Sequence, residues 1–214
     1  MHKTTDATMT NPSQPASSVR AERKIATREA LIRCGVALCT ERGFHMTGIE
    51  EVLKRVGVPK GSFYHFFSTK REFGEAVIDN YSDYFFRKLD RVLSDESQSP
   101  IERLRSFTLE AREGMHKYQY RRGCLVGNLG QELSGLDDEF RTRLESVLLS
   151  WQMRTAQCLV EAQDAGEISK ESDAAELAEF FWIGWEGAIL RAKLSRSSAP
   201  MELFANMFFK KILG

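Results

Sequence analysis

The sequence lacks several features that would define its class at once. Its 214 residues carry no net charge, and no apolar run approaches the roughly 20 residues that a membrane-spanning helix needs. The first twenty residues, MHKTTDATMTNPSQPASSVR, contain no apolar segment of the kind found in secretory signals. We therefore expect a cytoplasmic protein whose first twenty residues form a flexible polar arm.

Signs of metal or enzymatic chemistry are also missing. The sequence has no pair of cysteines at C-x2-C spacing among its four, which are Cys34, Cys39, Cys124 and Cys158. Its histidines are scattered, and no glycine-rich phosphate loop follows a strand. The sequence therefore predicts no metal site, no cofactor and no catalytic residues, which leaves an enzyme as a remote alternative.

The charges that balance over the whole chain are unevenly distributed along it. Residues 20–71 contain eleven Lys and Arg against five Glu, a net charge of +6, so residues 72–214 carry −6. A basic N-terminal third followed by an acidic remainder is typical of a small DNA-binding head attached to a larger body.

The sequence TGIEEVLKRVGVPKGSFYHFFSTK, residues 47–70, predicts two short helices joined by a tight turn. Thr47 and Glu50 have the spacing of a capping box at the start of the first helix. Gly57 follows its last apolar position, and Pro59 suits the start of the second helix. Two helices with a short glycine-containing turn indicate a helix-turn-helix, whose second helix enters the major groove of DNA.

The second of these helices has a composition suited to contact with nucleic acid. Phe63 and either Phe66 or Phe67 can anchor it to the core. The remaining residues can donate hydrogen bonds to phosphate or allow close approach of the backbone, and they are Lys60, Gly61, Ser62, Tyr64 and His65.

The segment VPKGSFYHFFSTKREF closely resembles the recognition-helix signature of the TetR family of bacterial transcriptional repressors, and the wider similarity covers Thr27 to Val77. The resemblance implies DNA contacts by Thr47, Lys60, Gly61, Ser62, Tyr64, His65 and Lys70. The basic residues Arg20, Arg23 and Lys24 either add phosphate contacts or form a solvated charged surface.

Apolar periodicity predicts further helices, and neither strand alternation nor an internal repeat is present. We expect an all-α protein with a flexible arm (1–20), a helix-turn-helix DNA-binding domain (21–71) and an effector-binding and dimerisation domain (72–214). The family resemblance implies a homodimer formed by the two long helices of the body, and a monomer that buries those helices in its own core is the alternative. By family analogy, the helix from Ser68 to Leu93 is the lever between effector and DNA.

The body segments YRRGCLVGNLGQE and FWIGWEGAILRAKLSRS resemble a subgroup of TetR-type repressors that respond to small unsaturated or electrophilic molecules, including acrylate-responsive repressors and repressors of N-ethylmaleimide reductase. The resemblance implies release from DNA by acrylate or a related unsaturated acid, and it pairs Lys193 with Cys124. Because Cys124 follows two arginines near a helix start, we expect a lowered thiol pKa and a thiol-based sensor of electrophiles or oxidants. The alternative is an inert buried thiol beside a ligand pocket. The other candidates for an effector pocket are Trp182, Trp185, Glu186, Arg191, Tyr118, Tyr120 and Asn128. The charged ones, Glu186 and Arg191, bind the effector or form an inter-helix salt bridge.

Overall fold

The structure is a computed structural model that describes residues 16–213. These residues form eight α-helices and one 3-10 helix, namely α1 (Ala16–Arg42), α2 (Ile49–Val56), the 3-10 helix (Lys60–His65), α3 (Lys70–Leu93), α4 (Pro100–Lys117), α5 (Leu125–Leu133), α6 (Asp138–Asp164), α7 (Ala174–Ser195) and α8 (Ala199–Met207). A π-helical turn, Phe208–Ile212, follows α8. No strand occurs between residues 16 and 213, and the predicted all-α fold is confirmed.

The head, which we define as α1, α2, the 3-10 helix and the start of α3, is built on an aromatic core. Phe63 and Phe67 are buried, and their ring centroids lie 5.7 and 5.1 Å from that of Phe73. Gly57 ends α2 in the left-handed conformation, with φ 75°, as the sequence predicts. Because the aromatic side chains hold only one face of the 3-10 helix, its other face is left to the solvent.

The first helix begins earlier than its apolar pattern indicates. The predicted start is about Thr27, whereas α1 begins at Ala16. Residues 16–20 are helical, so this part of the predicted flexible arm is wrong, and residues 1–15 lie outside the described residues. The sequence from 16 to 30 contains neither Gly nor Pro and is rich in Ala, Arg and Glu. These residues favour helix even where no apolar stripe is present.

Two helix starts also differ from the prediction. The Thr47 hydroxyl does not cap α2, because it donates to the carbonyl of the residue four positions earlier at 2.7 Å. The capping interactions occur instead at α3, where Thr69 Oγ1 accepts from the N–H of Glu72 at 3.0 Å. The Glu72 carboxylate accepts from the N–H of Ser68 at 2.6 Å, so the cap lies one residue after the predicted Ser68.

Bulky aromatic side chains from four helices meet at the centre of the body, which comprises the rest of α3 and α4 to α8. The Trp151 ring of α6 lies 4.3 Å from Phe85 and 5.0 Å from Trp182 of α7. Phe107 of α4 lies 5.7 Å from Trp182. Trp182 Nε1 donates to Thr155 Oγ1 at 3.0 Å, so its polar atom is satisfied. These contacts fix α7 against α4 and α6.

The two longest helices of the body each leave one apolar face uncovered. Large apolar side chains that are 46 to 70% exposed line these faces, and they are Leu149, Met153 and Val160 on α6 and Ile183, Leu190 and Leu194 on α7. None of the described helices is long and apolar enough to cross a membrane.

Candidate functional site

The 3-10 helix presents the polar residues of the motif to solvent. The Tyr64 side chain is 69% exposed. Exposed residues beside it are Lys60, Gly61 and His65, and Ser62 is half-buried. Lys60 Nζ pairs with Glu50 of α2 at 2.9 Å. Because both partners are exposed, such a pair contributes about 1 kcal/mol or less, and Lys60 is free to exchange Glu50 for another anion.

The N-terminal turns of α1 extend this exposed face. Arg20, Arg23 and Lys24 line an open groove of about 880 Å³ together with His65 and Phe66. The sequence predicted these basic residues on an arm, whereas the structure holds them on a helix beside the motif. Basic side chains grouped in this way suit the phosphates of a nucleic-acid backbone.

Two of the predicted DNA contacts lie away from the exposed face. Thr47 is 1% exposed, and its hydroxyl is occupied within the loop that joins α1 to α2. Lys70 is half-buried, with Nζ 4.7 Å from the centre of the Phe44 ring and 3.4 Å from the carbonyl oxygen of His45. Both side chains therefore support the loop in this structure.

A cavity of about 530 Å³ lies beneath the head, between the end of α1, α5 and α7. We call it the head–body cavity. Its wall includes four of the residues that the sequence singled out, Cys124, Asn128, Glu186 and Lys193. Polar groups that are widely spaced in the sequence are thus brought together at one site.

A second cavity, of about 290 Å³, lies within the body and shares Cys124 and Glu186 with the first. We call it the aromatic cavity, since Tyr118 and Trp185 line it. Trp185 Nε1 is buried and has no hydrogen-bond partner among the described residues. The aromatic cavity therefore offers an unused donor to a ligand.

Cys124 is the N-cap residue of α5, near a helix start as predicted. Burial raises the pKa of its thiol well above the usual value, and the nearby carboxyl of Glu186 raises this pKa further. Arg122, one of the two expected activating cations, instead pairs with Glu41 at 3.0 Å and stacks on Tyr118. The predicted lowering of the Cys124 pKa is wrong, and the thiol is protonated at neutral pH.

Glu186 has the most unusual environment in the wall between the cavities. Burial raises the pKa of its carboxyl to about 7, although a hydrogen bond with Cys124 lowers it in part. One carboxyl oxygen, Oε1, is buried without a hydrogen-bond partner in the described part of the chain. A carboxyl with such a pKa is about half protonated at neutral pH, so it can donate a hydrogen bond to an anionic ligand.

Lys193 faces the same cavity from α7. Its Nζ donates to the carbonyl of Thr40, in the last turn of α1, at 3.3 Å. Burial lowers the pKa of the Lys193 ammonium, and the charge of Arg196 lowers it further. The implied partnership of Lys193 with Cys124 stays a prediction, for which their shared cavity wall is a necessary condition.

The remaining predicted effector residues lie apart from one another in the structure. Trp182 belongs to the aromatic core of the body. Tyr120 lines a separate cavity with His116. Arg191 is exposed, so the expectation of a charge inside a buried apolar helix is wrong there. The apolar residues of α7 cover two faces, one inward and one uncovered, and Arg191 is adjacent to the uncovered one.

Sequence reasoning missed Glu132, near the end of α5. Its carboxylate accepts the backbone N–H of Phe44 at 2.7 Å and that of His45 at 2.6 Å. Burial alone would raise the pKa of Glu132, but the hydrogen bonds outweigh burial and hold it below its usual value. Glu132 follows Asn128 by four positions and Cys124 by eight, a spacing that could have placed it on the same helix face.

Comparison with known proteins identifies relatives along nearly the whole chain. The family model described as "Bacterial regulatory proteins, tetR family" matches residues 31–77. A second, "Tetracyclin repressor-like, C-terminal domain", matches residues 100–208. The chain is 50% identical to the transcriptional regulator AcuR of Cereibacter sphaeroides, over 94% of each protein. It is 29% identical to the HTH-type transcriptional repressor NemR of Escherichia coli K12, over 82% of this chain and 88% of NemR.

A solved structure gives the same result for the fold. The crystal structure of regulatory protein TetR from Rhodobacter sphaeroides superposes with a TM-score of 0.83 at 52% sequence identity. The superposition covers 86% of this chain and 97% of that one. The predicted architecture, a helix-turn-helix head on a helical body, is confirmed by this similarity.

Proposed function

The chain belongs to the TetR family of bacterial transcriptional regulators, and we propose that it is a repressor which a small effector releases from operator DNA. Its relatives are transcriptional regulators, which confirms the predicted class and speaks against the alternative of an enzyme. The head binds the operator, the body dimerises, and the wall shared by the two cavities receives the effector. Such a protein works in the cytoplasm, where bacterial DNA is found.

The exposed face of the head supports the assignment of the DNA-binding residues. The 3-10 helix offers Lys60, Gly61, Tyr64 and His65 to the major groove, with Ser62 at the edge of this surface. Arg20, Arg23 and Lys24 lie next to it, where they can reach phosphates flanking the groove. The 3-10 helix, Lys60–His65, contains no Arg, Asn or Gln for bidentate base recognition, so DNA shape contributes to operator choice.

The uncovered apolar faces of α6 and α7 support a homodimer. Met153 of α6 is 67% exposed, and Leu194 of α7 is 70% exposed. A monomer in water would leave both faces hydrated, whereas pairing of two copies would bury four such faces together. Two heads related by this symmetry would contact half-sites roughly 34–36 Å apart, about one turn of DNA.

The unpartnered polar atoms of the cavities carry the effector assignment. Glu186 Oε1 and Trp185 Nε1 are buried without partners among residues 16–213. A small carboxylic acid can satisfy both, because protonated Glu186 donates to one of its oxygens and the indole donates to another. Together with the resemblance to acrylate-responsive repressors, this favours acrylate or a related unsaturated acid as the effector.

A thiol-based sensor that acts through Cys124 is the second candidate mechanism, favoured by the position of Cys124 in both cavity walls. In that reaction the sulfur forms a bond to the β-carbon of an unsaturated carbonyl compound. The C=C π bond breaks, and the thiol proton ends on the α-carbon. The raised pKa of Cys124 makes this reaction slow compared with that of an activated thiolate.

Fluorescence anisotropy of a duplex from the gene's own upstream region tests the proposal. We expect tight binding by the protein and release by acrylate. Propionate has the same carboxylate and no double bond, so release by propionate as well would point to recognition of the carboxylate, and release by acrylate alone to a role of the double bond. The variant Cys124→Ser separates the mechanisms, since reversible release persists in it and covalent release does not. Absence of binding to any upstream duplex would contradict the repressor, and binding that neither acrylate nor N-ethylmaleimide weakens would contradict the effector assignment.

A further inference from the structure

One face of α5 connects the cavity wall to the head. Cys124, Asn128 and Glu132 follow one another at four-residue spacing, so they lie along the same side of the helix. Cys124 at the start lines both cavities, and Glu132 at the end lines the head–body cavity beside Gly43. This face therefore spans the distance between the effector residues and the loop that precedes α2.

The middle of this face holds the C-terminal end of α1. The Asn128 side-chain amide donates to the carbonyl of Cys39 at 3.2 Å and to that of Thr40 at 2.9 Å. The Thr40 carbonyl also accepts from the backbone N–H of Gly123 at 3.1 Å. The last carbonyls of a helix have no partners within the helix. The body supplies the partners of the Thr40 carbonyl and a second one for the Cys39 carbonyl, which also accepts from the N–H of Gly43 at 3.0 Å, so the end of α1 is fixed to α5.

The far end of the face holds the following loop through a two-point contact. Glu132 Oε2 accepts from the N–H of Phe44 at 2.7 Å, and Glu132 Oε1 accepts from the N–H of His45 at 2.6 Å. His45 Nδ1 also lies 2.7 Å from Oε1. A Cβ at Gly43 would lie 2.4 Å from Oε2, so the close approach requires glycine.

The loop held by Glu132 leads directly into the helix-turn-helix. Phe44 packs against Phe140 of α6, with ring centroids 5.6 Å apart, and Lys70 lies over its ring. Thr47 closes the loop by donating to the Gly43 carbonyl at 2.7 Å. Because α2 begins two residues after Thr47, the position of this loop sets the position of α2 and of the 3-10 helix behind it.

We propose that Glu132 is the residue through which α5 positions the DNA-binding head, so that the effector signal enters the head through the loop after α1. This inference rests on the proposed function. An effector bound at the Cys124 end of α5 competes with an arrangement in which the Glu132 end holds Phe44 and His45. The two arrangements are the states whose balance the effector shifts. This route differs from the predicted lever, the helix now described as α3.

The variant Glu132→Gln tests this role with almost no change in shape. A glutamine side chain has one acceptor oxygen in place of two, so one of the two backbone amides loses its partner. We expect operator affinity without effector to fall about tenfold, in line with the loss of hydrogen bonds to a charged acceptor. We also expect the ratio of operator Kd with and without acrylate to fall to less than about a third of the wild-type ratio. Acrylate binding itself, followed by tryptophan fluorescence, should become tighter than in wild type, because the variant weakens the arrangement with which acrylate competes.

Arg143→Gln is the matched control, since it removes an ion pair between α6 and Asp79 of α3 away from both cavities. It should leave operator affinity and the acrylate response unchanged. Glu132→Asp is the second variant, because its shorter side chain keeps the charge but cannot span both amides. Thermal unfolding identifies any variant that fails to fold, and the Asp variant then replaces the Gln one.

The outcomes separate this inference from the proposed function. A wild-type protein that binds no upstream duplex contradicts the repressor itself. If wild type binds DNA with an affinity that acrylate does not change, the effector assignment fails. The operator affinity of Glu132→Gln then still decides whether Glu132 positions the head. If Glu132→Gln matches Arg143→Gln in operator affinity and in acrylate response, the signal does not pass through the loop after α1, and the inference is overturned.

Discussion

Replacement of Glu186 by glutamine should make the stability of the protein less dependent on pH. Burial raises the pKa of this carboxyl to about 7 from an ordinary value of 4.5. Between these two pH values the folded chain keeps a proton that the unfolded chain has released, so the free energy of unfolding falls as pH rises. Below about pH 4.5 the Glu186 carboxyl is protonated in both the folded and the unfolded chain, and above about pH 7 it is ionised in both. Its contribution to the free energy of unfolding is therefore constant outside this window.

The size of the effect follows from the difference between the two pKa values. A gap of about 2.5 pH units corresponds to roughly 3 kcal/mol at about 1.36 kcal/mol per unit. Partial solvation of the side chain reduces this to the order of 2 kcal/mol. As pH rises from about 4.5 to 7, the free energy of unfolding of wild type should therefore fall by about 2 kcal/mol relative to that of Glu186→Gln.

Urea unfolding followed by tryptophan fluorescence, between about pH 4.5 and 8, measures this difference. The protein concentration must be fixed, because the stability of a dimer depends on it. Glu179→Gln, which replaces an exposed carboxyl of the same helix, controls for the loss of a charge. A difference between Glu186→Gln and wild type that stays constant with pH would refute the reasoning about the buried carboxyl.

The same ionisation predicts how the effector binds. Acrylate is an anion throughout this range, and only protonated Glu186 can donate a hydrogen bond to it. The affinity of wild type for acrylate should therefore fall as pH rises above about 7, by up to about tenfold per unit. In Glu186→Gln the affinity should vary little with pH, and an equal pH dependence in both proteins would place the acrylate carboxylate elsewhere.

Three further predictions concern other parts of the molecule. Tyr64→Ala should weaken operator binding by about tenfold through lost groove contacts. Phe86→Ala, which removes an exposed aromatic side chain of α3, should not, and equal effects of the two variants in anisotropy would count against the DNA-binding face. Met153→Glu should convert the dimer to a monomer, because it places a charge in an apolar interface, and sedimentation velocity measures the change. An unchanged dimer would exclude this face of α6 from the interface. N-ethylmaleimide should modify Cys34 first, because it is half-buried while the other three thiols are buried, and mass spectrometry would contradict this if Cys124 reacted first.

Local sequence rules predicted the fold well wherever one residue type suits one backbone conformation. Gly57 ends α2 with a positive φ, and Pro59 directly precedes the 3-10 helix. The same rules were wrong for Thr47, because a buried loop uses its hydroxyl in place of the helix end. A capping pattern specifies which hydrogen bonds are possible, and tertiary packing then decides which of them form.

Some of the predicted effector residues lie together, and their electrostatics were not predicted. Cys124, Glu186 and Lys193 line one cavity, and whether they bind an effector stays a prediction. The adjacent arginine at 122 was expected to activate the thiol, yet its guanidinium is held by Glu41 instead. Neighbours in sequence say which charges are available, but the pKa of a thiol depends on burial and on which charges face it in space.

The contrast between Glu132 and Glu186 shows why the two carboxyls suit different tasks. Glu132 accepts two backbone amides and a histidine nitrogen, which hold its pKa below the usual value. Glu132 is therefore ionised at every physiological pH, so its hydrogen bonds to the loop do not depend on pH in this range. Glu186 has a pKa of about 7 and a buried oxygen that finds no partner within residues 16–213, so a ligand that supplies a hydrogen bond gains more there than at a satisfied group. An effector that binds Glu186 can thus change the arrangement of α5 while Glu132 keeps its charge, and the energy for the change comes from the group that the apo protein leaves unsatisfied.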